Sequence, residues 1–116
     1  MAVVSSHALN SVDGSHASGI AVRLVNLDIG ETVFDTIMDH GGRLVREVAT
    51  PHPAATYEMV FQTGTYWQDR PPTIHDARIM NEVVVRFTMP DAQGRYHIPL
   101  ILSPHGYSLW CSNKSG

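Results

Sequence analysis

The stretch Arg95-Tyr96-His97-Ile98-Pro99-Leu100-Ile101-Leu102-Ser103-Pro104 alternates with period two. Tyr96, Ile98, Leu100 and Leu102 fall on one face; His97, Pro99, Ile101 and Ser103 fall on the other. Successive side chains of a β-strand point to opposite faces, so this period fits a strand and not a helix. The first face is an ordinary core face. The second carries an imidazole, a proline and an isoleucine, an odd set for a surface that meets only water. It suggests a cleft or a subunit interface. Pro99 has no N–H to give a ladder, so its strand is expected to be an edge or irregular there.

The same period recurs along the chain. Strands are expected over 3–9, 20–27, 32–37, 43–48, 56–62, 82–88, 95–102 and 107–112. Ile20, Val22 and Leu24 point inward in the second, Tyr57, Met59 and Phe61 share a face in the fifth, and Val83, Val85 and Phe87 share one in the sixth. Residues 10–19 form a turn-rich connection. Asp28–Glu31 and Asp39–Gly42 read as turns, and Thr50-Pro51-His52-Pro53 must be loop. Residues 63–69 are expected to form one short helix, with Thr63 as N-cap and Pro71-Pro72 as the stop; residues 73–79 read as irregular. About eight short strands with one helix make an all-β antiparallel sandwich of Greek-key type.

The 116 residues suffice for one domain, 1–116, and not for two. A hydrophobic content of 43% builds one core, while only 16% charged residues leaves surface that other subunits could cover. The formal charge is −3 and the only lysine is Lys114, so nucleic-acid binding is not expected. No run is apolar and long enough to cross a membrane, and the first residues do not read as a signal peptide. A cytoplasmic protein is the expectation. One cysteine, Cys111, excludes an intrachain disulfide and a multi-cysteine zinc site. Seven histidines lack the HExxH and His-x-His spacings, and His16, His40, His52 and His75 fall in loops, where solvent exposure is the simpler account. No metal and no cofactor are expected.

Several segments carry a resemblance. Tyr96-His97-Ile98-Pro99-Leu100-Ile101-Leu102-Ser103-Pro104 with Gly106-Tyr107-Ser108 resembles the C-terminal signature of the transthyretin-like 5-hydroxyisourate hydrolases. Ser6-His7-Ala8-Leu9-Asn10 resembles their N-terminal histidine motif, and Asp39-His40-Gly41-Gly42-Arg43 their turn motif ending in arginine. Tyr57–Phe61 with Thr63–Trp67, and Glu82–Phe87, are similar to two further segments, and all run in the family's order. The resemblance implies a transthyretin-type (prealbumin-like) β-sandwich assembled as a homotetramer, with sites in a channel between dimers. It implies hydrolytic opening of the ring of 5-hydroxyisourate in urate breakdown, without a metal, and it places the functional residues at His7, Arg43 and His97. The family's closing Tyr-Arg-Gly-Ser is replaced by Trp110-Cys111-Ser112-Asn113, and its aromatic–proline pair by Met80-Asn81.

The residue types suit the chemistry. Opening a cyclic amide requires water to lose a proton, the carbonyl oxygen to be stabilised as it becomes negative, and the leaving nitrogen to gain a proton. Histidine titrates near neutrality and suits the proton transfers. Arginine stays cationic and grips two acceptors on a planar ring. One of His7 and His97 is expected to activate the water, the other to orient or protonate the substrate, with Arg43 on the oxyanion. Ser108 or Ser112 could supply a hydroxyl, and Trp110 and Cys111 would shape the substrate wall. Each also has a plainer reading: His97 as an interface histidine, His7 as a surface residue, Arg43 as a solvated turn charge, Trp110 as packing, Cys111 as an inert small hydrophobe. An acyl-enzyme route through Cys111 would need a lowered thiol pKa. The alternatives are a same-fold enzyme acting on another small heterocycle or imine, and a non-catalytic transthyretin-like binding protein.

Overall fold

The computed structural model describes residues 1–68, 70 and 78–115. Two sheets face each other. One is built on β1 (Ala2–Asn10), which has β4 (Arg43–Val48) along one side and, along the other, β7 (Gly94–His97) followed by β8 (Leu100–Ser103). Outside these lie β10 (Ser112–Ser115) against β7 and β9 (Gly106–Leu109) against β8. The second sheet runs β3 (Glu31–Ile37), β2 (Ala21–Asn26), β5 (Tyr57–Phe61), β6 (Val83–Phe87). All pairings are antiparallel except those of β1 with β7 and β8, which are parallel.

The predicted strand over 95–102 is a kinked pair. Tyr96, Ile98, Leu100 and Leu102 are buried on one face, as their spacing demands. The break falls at Ile98-Pro99, so Pro99 makes the strand irregular without placing it at an edge. The last strand breaks opposite it: β9 and β10 are separated at Trp110-Cys111, and the Trp110 N–H donates to the Pro99 carbonyl at 3.3 Å. Counted once each, the two kinked strands leave eight among the described residues, as the sequence suggests.

The core lies between the sheets. Val4 and Ala8 of β1, Val22 and Leu24 of β2, Met59 and Phe61 of β5, Val83 of β6 and Ile98, Leu100 and Leu102 are all at most 1% exposed. Each large apolar side chain so buried stabilises the fold by about 1.5–3 kcal/mol. Helix α1 (Thr63–Gln68) buries Tyr66 and Trp67. Its start differs from the expectation of a Thr63 N-cap: the Thr63 hydroxyl is buried with no partner among the described residues, and the Gly64 N–H instead donates to the Asn81 carbonyl at 2.8 Å. A distant main-chain carbonyl does the work of a side-chain cap. The proposed stop at Pro71-Pro72, and most of the segment 73–79, lie outside the described residues. Among the described residues no helix is long and apolar enough to cross a membrane.

Candidate active site

Alternation on β1 buries Ala2, Val4, Ser6, Ala8 and Asn10 and turns Val3, Ser5, His7 and Leu9 to the outer face of the sheet. Directly paired residues share a face, so the ladder register fixes what stands beside His7. Arg43 of β4 is its partner. One row along, Val45, Ser5, His97 and Ser112 line up across β4, β1, β7 and β10. The strand rise and spacing put His7 and His97 on a diagonal of about 8 Å between backbones. His7, Arg43 and His97, 90 residues apart in the chain at the extremes, thus meet on one outward face.

Local chemistry holds each in place. Arg43 follows a turn closed by Asp39, whose carboxylate accepts from the N–H of Gly41 and of Arg43, both at 2.9 Å. Gly42 in that turn has φ of +67°, and a Cβ there would lie 2.6 Å from the Ala8 carbonyl oxygen. Only glycine allows this approach, which lets the Ala8 N–H donate to the Gly42 carbonyl at 2.8 Å, next to His7. His97 shares a hydrogen bond of 2.8 Å between its Nδ1 and the Ser5 hydroxyl. That bond fixes the ring and leaves Nε2 for other partners.

His7 is half-buried, and its Nε2 lies 2.9 Å from Nδ1 of His16. Partial desolvation, then the Arg43 guanidinium, His16 and His97, hold its imidazole below the usual histidine value; a main-chain hydrogen bond at Gly41 opposes them. A neutral imidazole near pH 7 can take a proton. Arg43 is exposed and cationic beside it. The residues therefore assemble a base and a fixed positive charge on one open surface.

The remaining candidates divide by face. Ser112 stands opposite His97. Ser108 pairs with Ile101, which in turn pairs with Leu9, so it is on the same sheet face but farther along. Trp110 is 51% exposed. Cys111 lines a cleft of about 230 Å³ with Phe87, Tyr96 and Ile98, at the margin of the core. It is exposed, yet the desolvation it does feel pushes its thiol up, away from the thiolate that an acyl-enzyme route needs. Among the described residues no cluster of His, Cys, Asp and Glu could hold a metal ion. The cleft beside Cys111 does not include His7, Arg43 or His97.

Two residues escaped the sequence reading. Ser5 sits 92 positions from His97, and only the parallel pairing brings them together. His16 lies in the turn-rich connection, where its bridge to Leu9 aims the ring at His7. The one available signal for Ser5 was its place two residues before His7 on the same strand face.

Comparison with known proteins agrees with this fold. The profile described as HIUase/Transthyretin family matches residues 4–111. The chain is similar to a 5-hydroxyisourate hydrolase of Pseudomonas aeruginosa, 29% identical over 95% of this chain and 90% of the relative. It is 30% identical to 5-hydroxyisourate hydrolase 2 of Rhizobium meliloti, over 92% of each chain. The fold matches that of Klebsiella pneumoniae 5-hydroxyisourate hydrolase with a TM-score of 0.76 at 24% identity, covering 97% of this chain and 99% of the other. With the sandwich in place and the match running almost end to end, the chain belongs to the HIUase/transthyretin family.

Proposed function

We propose that this protein is a hydrolase that opens the ring of 5-hydroxyisourate in purine breakdown, with His7, Arg43 and His97 as its working residues. The observation that carries the reading is their convergence on one outward sheet face through the His7–Arg43 and Ser5–His97 register pairs. That it is a hydrolase rests on the relatives of that name, which are 25–31% identical over most of the chain.

In the proposed mechanism one imidazole removes a proton from water as it attacks the cyclic amide carbonyl. Arg43 stabilises the oxyanion that forms. The C–N bond then breaks, and the leaving nitrogen takes a proton from an imidazolium. His7, whose imidazole is held below the usual histidine value beside a fixed cation, supplies the neutral ring for that first step. His97, anchored by Ser5 through Nδ1, keeps Nε2 for the substrate. Ser112 supplies a hydroxyl beside it, with Ser108, Trp110 and Cys111 around the rim.

A homotetramer completes the site in this reading. The face is open in one protomer, and it also carries Val3, Val45, Leu9 and Ile101, with Val45 67% exposed. Apolar side chains beside catalytic ones suit a wall that a second dimer covers. The test is direct. 5-Hydroxyisourate is made in situ from urate with urate oxidase, and its ultraviolet absorbance is followed with and without the protein. Acceleration by wild type that is lost in Arg43→Ala supports the reading. Decay at the spontaneous rate with a folded wild-type protein turns it towards the second reading, another small heterocycle, for which the Trp110-Cys111-Ser112-Asn113 tail beside His97 is the specific motive.

A further inference from the structure

His16 makes a contact at this site that the mechanism above does not use. Its Nδ1 lies 2.9 Å from Nε2 of His7, and the ring centroids are 5.1 Å apart with the planes tilted by 35°. The contact is built, not incidental. The connection that carries His16 is tied at every step: Asn10 N–H to the Ser15 carbonyl at 2.8 Å, Gly14 N–H to the Asn10 carbonyl at 2.8 Å, and Ala17 N–H to the Ala8 carbonyl at 2.9 Å. Asp13 accepts from the Ser15 N–H and hydroxyl at 2.9 and 2.6 Å. Asn10 itself is buried and donates to the Tyr66 hydroxyl at 3.0 Å.

Two imidazole nitrogens at that distance hold one proton between them. One must donate and the other accept, so the protonation of each ring dictates that of the other. Two imidazolium rings would both present N–H groups and could not keep the bond. His7 is half-buried while His16 is exposed. We propose that His16 is a positioning and proton-exchange residue for His7: it sets the tautomer and orientation of the His7 ring and links its Nε2 to bulk water. The exchange is balanced. A proton on His7 Nε2 passes to His16 Nδ1, and His16 releases its other ring proton to water; the reverse path restores His7. This inference rests on the proposed hydrolase reading for its consequence in turnover, but not for the pairing itself.

The other charged and titratable groups facing His7 among the described residues are Arg43 on β4 and His97 on β7. Asp39, in the turn before Arg43, already accepts two main-chain N–H groups.

The experiment is a pH titration of the imidazole nitrogens by ¹⁵N NMR in wild type, His16→Ala and His16→Asn, with kcat/KM against pH for the same three proteins. His16 is exposed in a loop, so neither variant removes core packing. In wild type the ¹⁵N shifts of His7 Nε2 and His16 Nδ1 are expected to show one nitrogen protonated and the other not, the signature of a shared proton. His16→Ala is expected to change the His7 titration and the ¹⁵N shift of its Nε2, and to lower kcat/KM by on the order of tenfold through a misplaced ring. His16→Asn offers an amide where Nδ1 stood. It is expected to restore the His7 tautomer and to recover part of kcat/KM. A His7 titration and tautomer identical in wild type and His16→Ala overturn the pairing. A changed titration with an unchanged pH–rate profile overturns the role in turnover. Absence of hydrolysis by wild type would count against the hydrolase reading alone, since the NMR comparison still decides the pair.

Discussion

Gly42→Ala tests how the turn before Arg43 is held. Two penalties meet at this position. Its φ of +67° is a left-handed conformation, which costs a residue with a Cβ about 1–2 kcal/mol. The added Cβ would also lie 2.6 Å from the Ala8 carbonyl oxygen and 3.1 Å from the main-chain N and O of Ala17. These are backbone atoms of the strand beside His7 and of the connection after it, so they cannot rotate away; such overpacking costs about 1–3 kcal/mol. Relief by moving apart would weaken the Ala8-to-Gly42 hydrogen bond, about 1 kcal/mol net. The conformational and packing penalties together come to about 2–5 kcal/mol, the hydrogen-bond loss being the alternative to overpacking. For a domain of this size that lowers Tm by roughly 8 °C or more. Gly14→Ala supplies the control, because Gly14 has φ of +77° and nothing within 4 Å of its missing Cβ. It carries the conformational penalty alone. The assay is thermal unfolding by circular dichroism at a fixed protomer concentration, since any assembly makes Tm depend on concentration. Gly42→Ala should fall well below Gly14→Ala. Equal losses in the two variants would refute the close-approach argument and leave only the backbone term.

Three further outcomes are expected. Ser5→Ala removes the hydroxyl on His97 Nδ1 and should lower kcat on the order of tenfold with Tm little changed; an unchanged kcat would show that His97 is oriented by something else. His7 has a folded pKa below its usual value of 6.5, so the folded state binds fewer protons. That contribution to stability is complete above the unfolded value and is lost as pH falls through it. Wild type should therefore lose more Tm than His7→Gln between about pH 7.5 and about pH 5.5, and equal losses would contradict the assignment. Light scattering or analytical ultracentrifugation should report a tetramer; a monomer that still turns over substrate would remove the second dimer from the site.

Much of this was legible in the alternating pattern. Tyr96, Ile98, Leu100 and Leu102 point inward because a strand allows nothing else, and Pro99 announced the kink through its missing donor. The matching break at Trp110-Cys111 was not legible. No proline or glycine marks it; it exists because β10 and β9 must follow β7 and β8 around the Ile98-Pro99 corner. The helix start misled for a similar reason: Thr63 has the right chemistry for a cap, but its hydroxyl is buried and a carbonyl from Asn81 arrives by tertiary folding. The candidate site was legible as residue types at His7, Arg43 and His97, which the register brings to one sheet face. Ser5 and His16 were not, because each gains meaning only from a neighbour that the sheet register supplies.

The most direct test of the central claim is the rate constant for loss of 5-hydroxyisourate in the presence of wild type and of His97→Ala, with both shown to be folded and of equal size in solution. The account predicts strong acceleration by wild type and a loss of about a hundredfold or more in the variant. Equal rates in the two proteins, or no acceleration by either, would contradict it.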